Sequence, residues 1–262
     1  MKFLSPAKLN LNLKVISKRN DGFHDLDTTF QLINLYDEIS FEEDNKSLSI
    51  NCDSIDIKEE DNLIFKAYKA IKRFSKVEKG LRINLKKIIP IGAGLGGGSS
   101  NAATTLIALN KIWGLDLSKE ELISIGKDLG ADVPFFIHGK NALAKGVGDI
   151  FFDLEFSNKN YLLICPNISV STKEMFTRLN IDELKMDQQN SFLDILLREH
   201  KSIEDFYFKF ENEYKLKLSG TGSTLFLEYD NKDKIEKILK KIPKNWRFFL
   251  CEGLQYSPLI EV

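Results

Sequence analysis

A cluster of glycines is the first part of this sequence that could do chemistry. Residues 92–98 contain five glycines in seven positions. Since glycine carries no side chain, a ligand can approach such a backbone closely, and several N–H groups can turn toward one point. Residues 81–86 alternate apolar and polar side chains as a strand does, and a helical apolar pattern follows residue 100 and ends at Gly114. A strand, a glycine loop and a helix start together predict an anion site, most simply for a phosphate.

Other interpretations of the glycine loop fit the sequence less well. Three of its glycines match G-x-G-x-x-G, but a dinucleotide-binding fold requires a second parallel strand directly after the helix. Here Ser118 and Glu121 form a capping box, which predicts another helix instead. The Walker A pattern does not occur in the sequence. A flexible linker without a ligand is disfavoured because the loop is followed at once by Ser99 and Ser100, which are predicted N-cap residues.

A cation, an amide and a carboxylate are candidates for a polar site. Residues 6–15 alternate as a strand, which places Lys8 and Asn10 on one face. That face could be simply solvated, or it could line a site. Asp132 lies in the apolar segment 129–137, where a carboxylate is costly unless it is paired or hydrogen-bonded. It either caps the turn before the next proline or acts as an acid or base beside Lys8.

A turn at residues 20–22 places an aromatic ring beside an imidazole. Phe23 and His24 follow this Asn-Asp-Gly turn directly. A ring next to a group with a donor and an acceptor suits a planar base. The alternative is a surface histidine beside a core phenylalanine.

Composition narrows the class of protein. With 43% hydrophobic residues, the 262 residues can bury a substantial core in one large or two ordinary domains. The net charge of -1 predicts no general attraction to nucleic acid or to acidic membranes. The three cysteines and three histidines are scattered, which argues against a disulfide framework or a zinc site. Without a signal-peptide segment or a membrane-spanning apolar run, we expect a cytoplasmic protein.

Strands and helices also mix after the first 155 residues. A second glycine turn near residue 148 indicates that a first domain closes shortly after it, and the remainder predicts a small α+β domain packed on it. We therefore expect domains at residues 1–155 and 156–262.

The order of the motifs resembles the GHMP kinase superfamily. The resemblance extends from Pro6 to about Gly222 and rests on these segments: Pro-Ala-Lys-Leu-Asn-Leu at 6–11, Asp-Gly-Phe-His at 21–24, the glycine motif at 90–103, Gly-Ala-Asp-Val-Pro-Phe-Phe at 130–136 and Gly-Thr-Gly-Ser at 220–223. It implies an α+β fold class with an N-terminal ribosomal-protein-like α/β domain and a C-terminal ferredoxin-like α+β domain.

The resemblance also implies an ATP-dependent enzyme with particular site residues. Its catalytic pair falls on Lys8 and Asp132. Its nucleotide site falls on Asn62, Lys87, Pro90, Gly92, Gly94, Leu95, Gly96, Gly97, Gly98, Ser99 and Ser100. Its acceptor site falls on Asn10, Phe23, His24, Thr172 and Phe176. The family usually has tyrosine at position 23, so a stacking face is kept here but a hydroxyl is lost.

Within the superfamily, residues 6–10 and 22–24 are similar to members whose acceptor is a methylerythritol linked to cytidine diphosphate, in the non-mevalonate route to isoprenoid precursors. We expect Phe23 and Phe176 to sandwich the cytosine. We also expect Mg²⁺ to accompany ATP, and the sequence does not identify its protein ligands. We expect a small-molecule substrate, no nucleic acid or membrane partner, and a monomer or weak homodimer. The alternatives are another small-molecule kinase of the superfamily, of the mevalonate, homoserine or galactose type, and a non-catalytic module that binds a nucleotide or RNA.

Overall fold

The computed structural model describes residues 1–44, 48–53, 61–77, 80–184 and 188–260. The first part of the chain forms β1 (Lys2–Lys18), β2 (His24–Asp44), β3 (Ser49–Cys52), α1 (Leu63–Lys72), β4 (Gly80–Lys86), α2 (Gly97–Trp113), α3 (Lys119–Lys127), α4 (Val133–His138), β5 (Ala142–Lys145) and β6 (Ile150–Asp153). The second part forms β7 (Asn160–Cys165), α5 (Thr172–Arg178), α6 (Leu193–Glu199), α7 (Lys201–Tyr214), β8 (Lys217–Leu218), β9 (Leu225–Tyr229), α8 (Glu236–Leu239) and β10 (Arg247–Glu252). None of the helices in these ranges has the length and hydropathy needed to span a bilayer.

The long strand β2 organises the first sheet. The strand order of this sheet is β3-β4-β2-β5-β6, and β1 pairs with β2 along most of the length of β1. Helices α1, α2 and α4 cover this sheet with apolar side chains such as Ile64, Leu106 and Phe135. Alanines in the middle of α2 are fully buried, so the helix lies close against its neighbours. This packing fixes where the first turn of α2 can lie.

Local signals in the sequence predict several helix ends correctly. The Asn62 side chain accepts a hydrogen bond from the backbone of Ile64 and caps α1. Ser118 and Glu121 form the predicted capping box of α3, and Gly114 ends α2 in the left-handed conformation. Each of these depends on contacts within one turn of helix, which is why the sequence alone predicts them.

The second sheet is antiparallel, in the order β10-β7-β9-β8. Helices α6 and α7 pack on one face through residues such as Phe192 and Phe206. The other face meets β1 and β2 through a shared apolar cluster that includes Leu9 and Leu163. The chain leaves the first sheet at residue 153 and enters the second at residue 160, around the predicted domain boundary. Residues 254–260, however, return to pack on the first part. The division at residue 155 stays a prediction.

The second sheet packs on the face of β1 that carries Leu9, whereas α2 and the glycine loop cover its other face. Around its middle this strand is therefore buried on both faces. Lys8 and Asn10 are each only 3% exposed. The interpretation of this polar face as solvated is therefore wrong.

Candidate active site

The glycine loop turns into helix α2 through a series of left-handed residues. Gly92, Gly94 and Gly96 have φ values of 62°, 76° and 71°. The helix begins at Gly97, and the N–H groups of its first turn at Gly97, Gly98 and Ser99 have no acceptor among the described residues. Three free N–H groups at the positive end of a helix dipole form an anion site. The backbone thus has the geometry of the predicted anion cradle, and its occupation by a phosphate stays a prediction.

The carbonyl groups of the same loop are held by the second part of the chain. Thr224 donates its N–H to the carbonyl of Ala93 at 3.2 Å, and the Ser219 hydroxyl donates to the carbonyl of Gly94 at 3.0 Å. The fit is close, since a Cβ on Gly94 would lie 2.1 Å from the Ser219 carbonyl oxygen. With its carbonyl groups occupied in this way, the loop is left with N–H groups for a ligand.

The two serines after the loop have different roles from those predicted. Gly96 is the N-cap of α2, so Ser99 and Ser100 lie in the first helical turn rather than at the cap. Ser99 lines the cleft described below. Ser100 is fully buried and does not line it; its hydroxyl accepts a hydrogen bond from Ser5 at 2.8 Å and its N–H donates to the carbonyl of Gly96. We therefore assign Ser100 a structural role behind the loop.

Lys8 and Asp132 meet beside the loop. The Lys8 Nζ atom lies 3.4 Å from Asp132 Oδ2. It also donates hydrogen bonds to Asn10 Oδ1 and to the carbonyl of Gly94, the latter at 3.3 Å. The lysine is almost completely buried, whereas the Asp132 side chain is 33% exposed. A fixed ammonium and a carboxylate open to the cleft are thus placed next to the glycine loop.

Asp132 does not cap the helix that follows it. It occupies the N-cap position of α4, but its side chain makes no capping hydrogen bond. The capping interpretation is therefore wrong, and the carboxylate is available to a ligand.

The Asn10 side chain is held from both sides. Its Nδ2 atom donates to the Thr28 hydroxyl at 2.7 Å, and its Oδ1 atom accepts from Lys8. The Asn10 backbone N–H donates to Ser219 Oγ at 3.2 Å. This places Asn10 where β1, β2 and the second part of the chain meet.

A buried ion pair lies beside the first turn of α2. Lys87 Nζ lies 2.6 Å from Asp37 Oδ2, and Asp37 is fully buried. The other Asp37 oxygen accepts the N–H groups of Ile88 and Ile89. Burial lowers the pKa of the Lys87 ammonium below its ordinary value, and the attraction of Asp37 opposes that shift. Sequence reasoning missed Asp37, because Glu38 follows it directly and the pair is typical of an ordinary exposed position on a strand.

The aromatic pocket is built differently from the expected sandwich. The His24 and Phe176 rings face each other at 5.1 Å between centroids, and Phe192 supports Phe176 edge-on at 4.8 Å. Phe23 is 61% exposed at the mouth of the cleft. Partial burial, assisted by nearby Lys18, lowers the pKa of His24, so its ring is neutral near pH 7 and offers one donor and one acceptor.

The predicted residues share one cleft of about 1860 Å³. All of the predicted site residues except Ser100 line it, including Asn62 near the loop and Thr172, whose hydroxyl lies 3.2 Å from that of Thr221. Its volume exceeds that of an ordinary small-molecule pocket and suits two ligands that meet end to end. Sequence reasoning missed further lining residues, among them Lys18, Arg19, Asp21, Asn101, Lys173 and Thr221.

Comparison with known proteins identifies the family of this chain. Residues 62–140 match the GHMP kinases N terminal domain. A curated protein of Marinomonas sp. (strain MWYL1), named 4-diphosphocytidyl-2-C-methyl-D-erythritol kinase, is 40% identical over 98% of this chain and 88% of its own length.

Solved structures are similar over nearly the whole chain. A crystal structure of 4-(cytidine 5'-diphospho)-2C-methyl-D-erythritol kinase has a TM-score of 0.82 and 27% identity, and covers 97% of this chain and 99% of its own. A mevalonate kinase has a TM-score of 0.72 at 14% identity over 97% of this chain and 99% of its own, which shows a shared fold alone. The predicted α+β fold class of the GHMP kinases is thus confirmed. On the strength of this identity and coverage, the chain belongs to the 4-diphosphocytidyl-2-C-methyl-D-erythritol kinases of the GHMP kinase superfamily.

Proposed function

We propose that this protein transfers the γ-phosphoryl group of ATP to the 2-hydroxyl of 4-diphosphocytidyl-2-C-methyl-D-erythritol, in the non-mevalonate route to isoprenoid precursors. One observation carries the proposal: the Lys8–Asp132 pair lines the same cleft as the first turn of α2, with its free N–H groups, and the His24–Phe176 ring pair. The names of the curated relatives support this acceptor.

ATP would bind with its phosphates on the first turn of α2. The free N–H groups of Gly97, Gly98 and Ser99 face anionic oxygens there. Asn62 uses Oδ1 to cap α1, which leaves its Nδ2 group for the nucleotide. Lys87 lines the same end of the cleft and contributes positive charge held in place by Asp37.

Asp132 is the base in this proposal. As the 2-hydroxyl oxygen bonds to the γ-phosphorus, the bond from that phosphorus to the β,γ-bridging oxygen breaks, and ADP leaves. The hydroxyl proton passes to the Asp132 carboxylate. Lys8 holds that carboxylate in place and brings positive charge close to the transferring phosphoryl group. Most of the catalysis then comes from positioning and charge neutralisation, as in phosphoryl transfer generally.

Mg²⁺ supplies charge neutralisation at the phosphate oxygens when it is bound. No group of three His, Cys, Asp or Glu side chains in the described ranges could hold a metal ion by itself. Since Mg²⁺ commonly keeps several waters and takes few protein ligands besides phosphates, a single protein oxygen fits. The Ser99 hydroxyl, in the first turn of α2 and lining the cleft, is the side chain we propose for it.

The cytoplasmic location of the protein is also a proposal. The three cysteines are free thiols, which supports a reducing cytoplasm. The oligomeric state, a monomer or a weak homodimer, stays a prediction.

Phe176→Ala tests the aromatic pocket. Loss of a stacking face removes ~1–3 kcal/mol per base, so we expect KM for the cytidyl substrate to rise roughly 10- to 100-fold. KM for ATP should change little, because none of the contacts proposed for the nucleotide involves Phe176. The matched control is Phe248→Ala, an exposed phenylalanine on β10 outside the cleft. Equal increases in both KM values would assign Phe176 to packing alone.

The reaction itself is tested by product analysis. The protein is incubated with Mg²⁺, ATP and the cytidyl substrate, and ³¹P NMR locates the new phosphate ester. We expect the ester on the 2-hydroxyl with one ADP formed per turnover. An ester at another hydroxyl would reject the proposed placement of the acceptor against Asp132.

A further inference from the structure

Thr28 lies behind the candidate catalytic pair and has no role in the mechanism above. It is fully buried on β2. Its hydroxyl is 2.7 Å from Asn10 Nδ2 and 2.7 Å from the carbonyl oxygen of Asn12. The register of β1 shifts between Asn10 and Asn12, and the hydroxyl satisfies the Asn12 carbonyl at this irregularity.

The single hydrogen of this hydroxyl determines the direction of the network. A carbonyl oxygen can only accept, so Thr28 must donate its hydrogen to Asn12. Toward Asn10 the same oxygen can then only accept. Asn10 must therefore present its NH₂ group to Thr28, which leaves Oδ1 facing Lys8. The orientation of the amide follows from the chemistry of its neighbours.

This orientation matters because Lys8 is an ammonium and needs acceptors. Its partners are Asn10 Oδ1, the carbonyl of Gly94 and the carboxylate of Asp132. If the Asn10 amide were reversed, its NH₂ group would face the ammonium, and a buried acceptor would be lost. Lys8 would then shift away from its place beside Asp132.

We propose that Thr28 is a positioning residue for phosphoryl transfer: it fixes the amide orientation of Asn10, and Asn10 in turn holds Lys8 at Asp132. This inference rests on the proposed function. Thr28 borders the cleft but is fully buried, and its hydroxyl is engaged by Asn10 and Asn12.

Thr28→Val tests the proposal, since valine keeps the shape and removes the hydroxyl. A small displacement of catalytic groups can cost up to about 100-fold in rate, so we expect kcat to fall roughly 10- to 100-fold with both KM values within about threefold. Thr28→Ser keeps the hydroxyl and should restore most of kcat. Thr29→Val is the matched control, because Thr29 is the next residue on β2 and makes no side-chain hydrogen bond in the described part of the chain.

A double-mutant cycle separates positioning from general loss of stability. If Thr28 acts through Asn10, Thr28→Val should have little further effect in the Asn10→Ala background. The proposal would be overturned if the two substitutions lowered kcat independently, so that their fold-changes multiplied in the double variant. It would also be overturned if the Thr28→Val protein had wild-type kcat. If the valine variant does not fold, Thr28→Ala and Thr28→Ser replace it, and equal activity of these two would also overturn it. Wild-type protein that releases no ADP with the cytidyl substrate would instead reject the proposed function, and this inference with it.

Discussion

Replacing Asp132 with asparagine is expected to lower kcat by on the order of 10²–10⁴. Asparagine keeps the size of the side chain but cannot take the proton of the acceptor hydroxyl. ATP binding should change little, since the phosphate cradle consists of backbone N–H groups of α2. Steady-state kinetics together with an independent measurement of ATP affinity would check both parts of this prediction.

The control for this variant is Asp128→Asn. Asp128 is an exposed residue at the end of α3, four residues before Asp132, and does not line the cleft. Its substitution removes the same charge from the surface without touching the site. Near-normal turnover by the Asp132 variant would remove this residue from the role of base.

Gly94→Ala is expected to cost roughly 2–5 kcal/mol of folding free energy. Gly94 has a φ of 76°, which is strained for alanine. The added Cβ would lie 2.1 Å from the carbonyl oxygen of Ser219 and 2.9 Å from that of Gly222. Both are backbone atoms, so the loop and the second part of the chain must separate. Chemical denaturation should show the loss of stability, and ATP affinity should fall with it.

Gly114→Ala separates backbone strain from close contact of the added Cβ as causes of the lost stability. Gly114 also has a positive φ, of 59°, but an added Cβ would meet nothing within 4 Å. Its substitution should cost only about 1–2 kcal/mol, from backbone strain. If the two variants lost equal stability, close packing around Gly94 would not be the cause.

Much of this site could be predicted because its signals are local. The glycines that form the loop, the asparagine that caps α1 and the capping box of α3 each act within a few residues of chain. Lys8 was the obvious cation to pair with Asp132, and the resemblance to the GHMP kinases added a catalytic role for the two, which lie far apart in the sequence and meet at 3.4 Å in the structure.

The remaining features depend on contacts between distant segments. Lys8 and Asn10 are buried by segments far away in the sequence, among them the glycine loop and β2, and alternation within β1 cannot show that. The first turn of α2 starts before Ser99 because Gly96 adopts a left-handed conformation. Which of Phe23 and His24 faces Phe176 depends on how β2 packs against α5, and these two elements lie far apart in the sequence. The structure brings His24 to Phe176. Asp37 could not be distinguished from an ordinary exposed carboxylate on a strand until Lys87 was placed beside it.

The choice of acceptor is the most direct test of the proposed function. Purified protein would be given Mg²⁺ and ATP with 4-diphosphocytidyl-2-C-methyl-D-erythritol, mevalonate, homoserine or galactose, and ADP release would be measured. We predict turnover with the cytidyl compound and none with the other three. Turnover with one of those three alone would contradict the assignment of the aromatic pocket to cytosine, and an ATP-binding protein that is inactive with all four would contradict the proposed kinase activity itself.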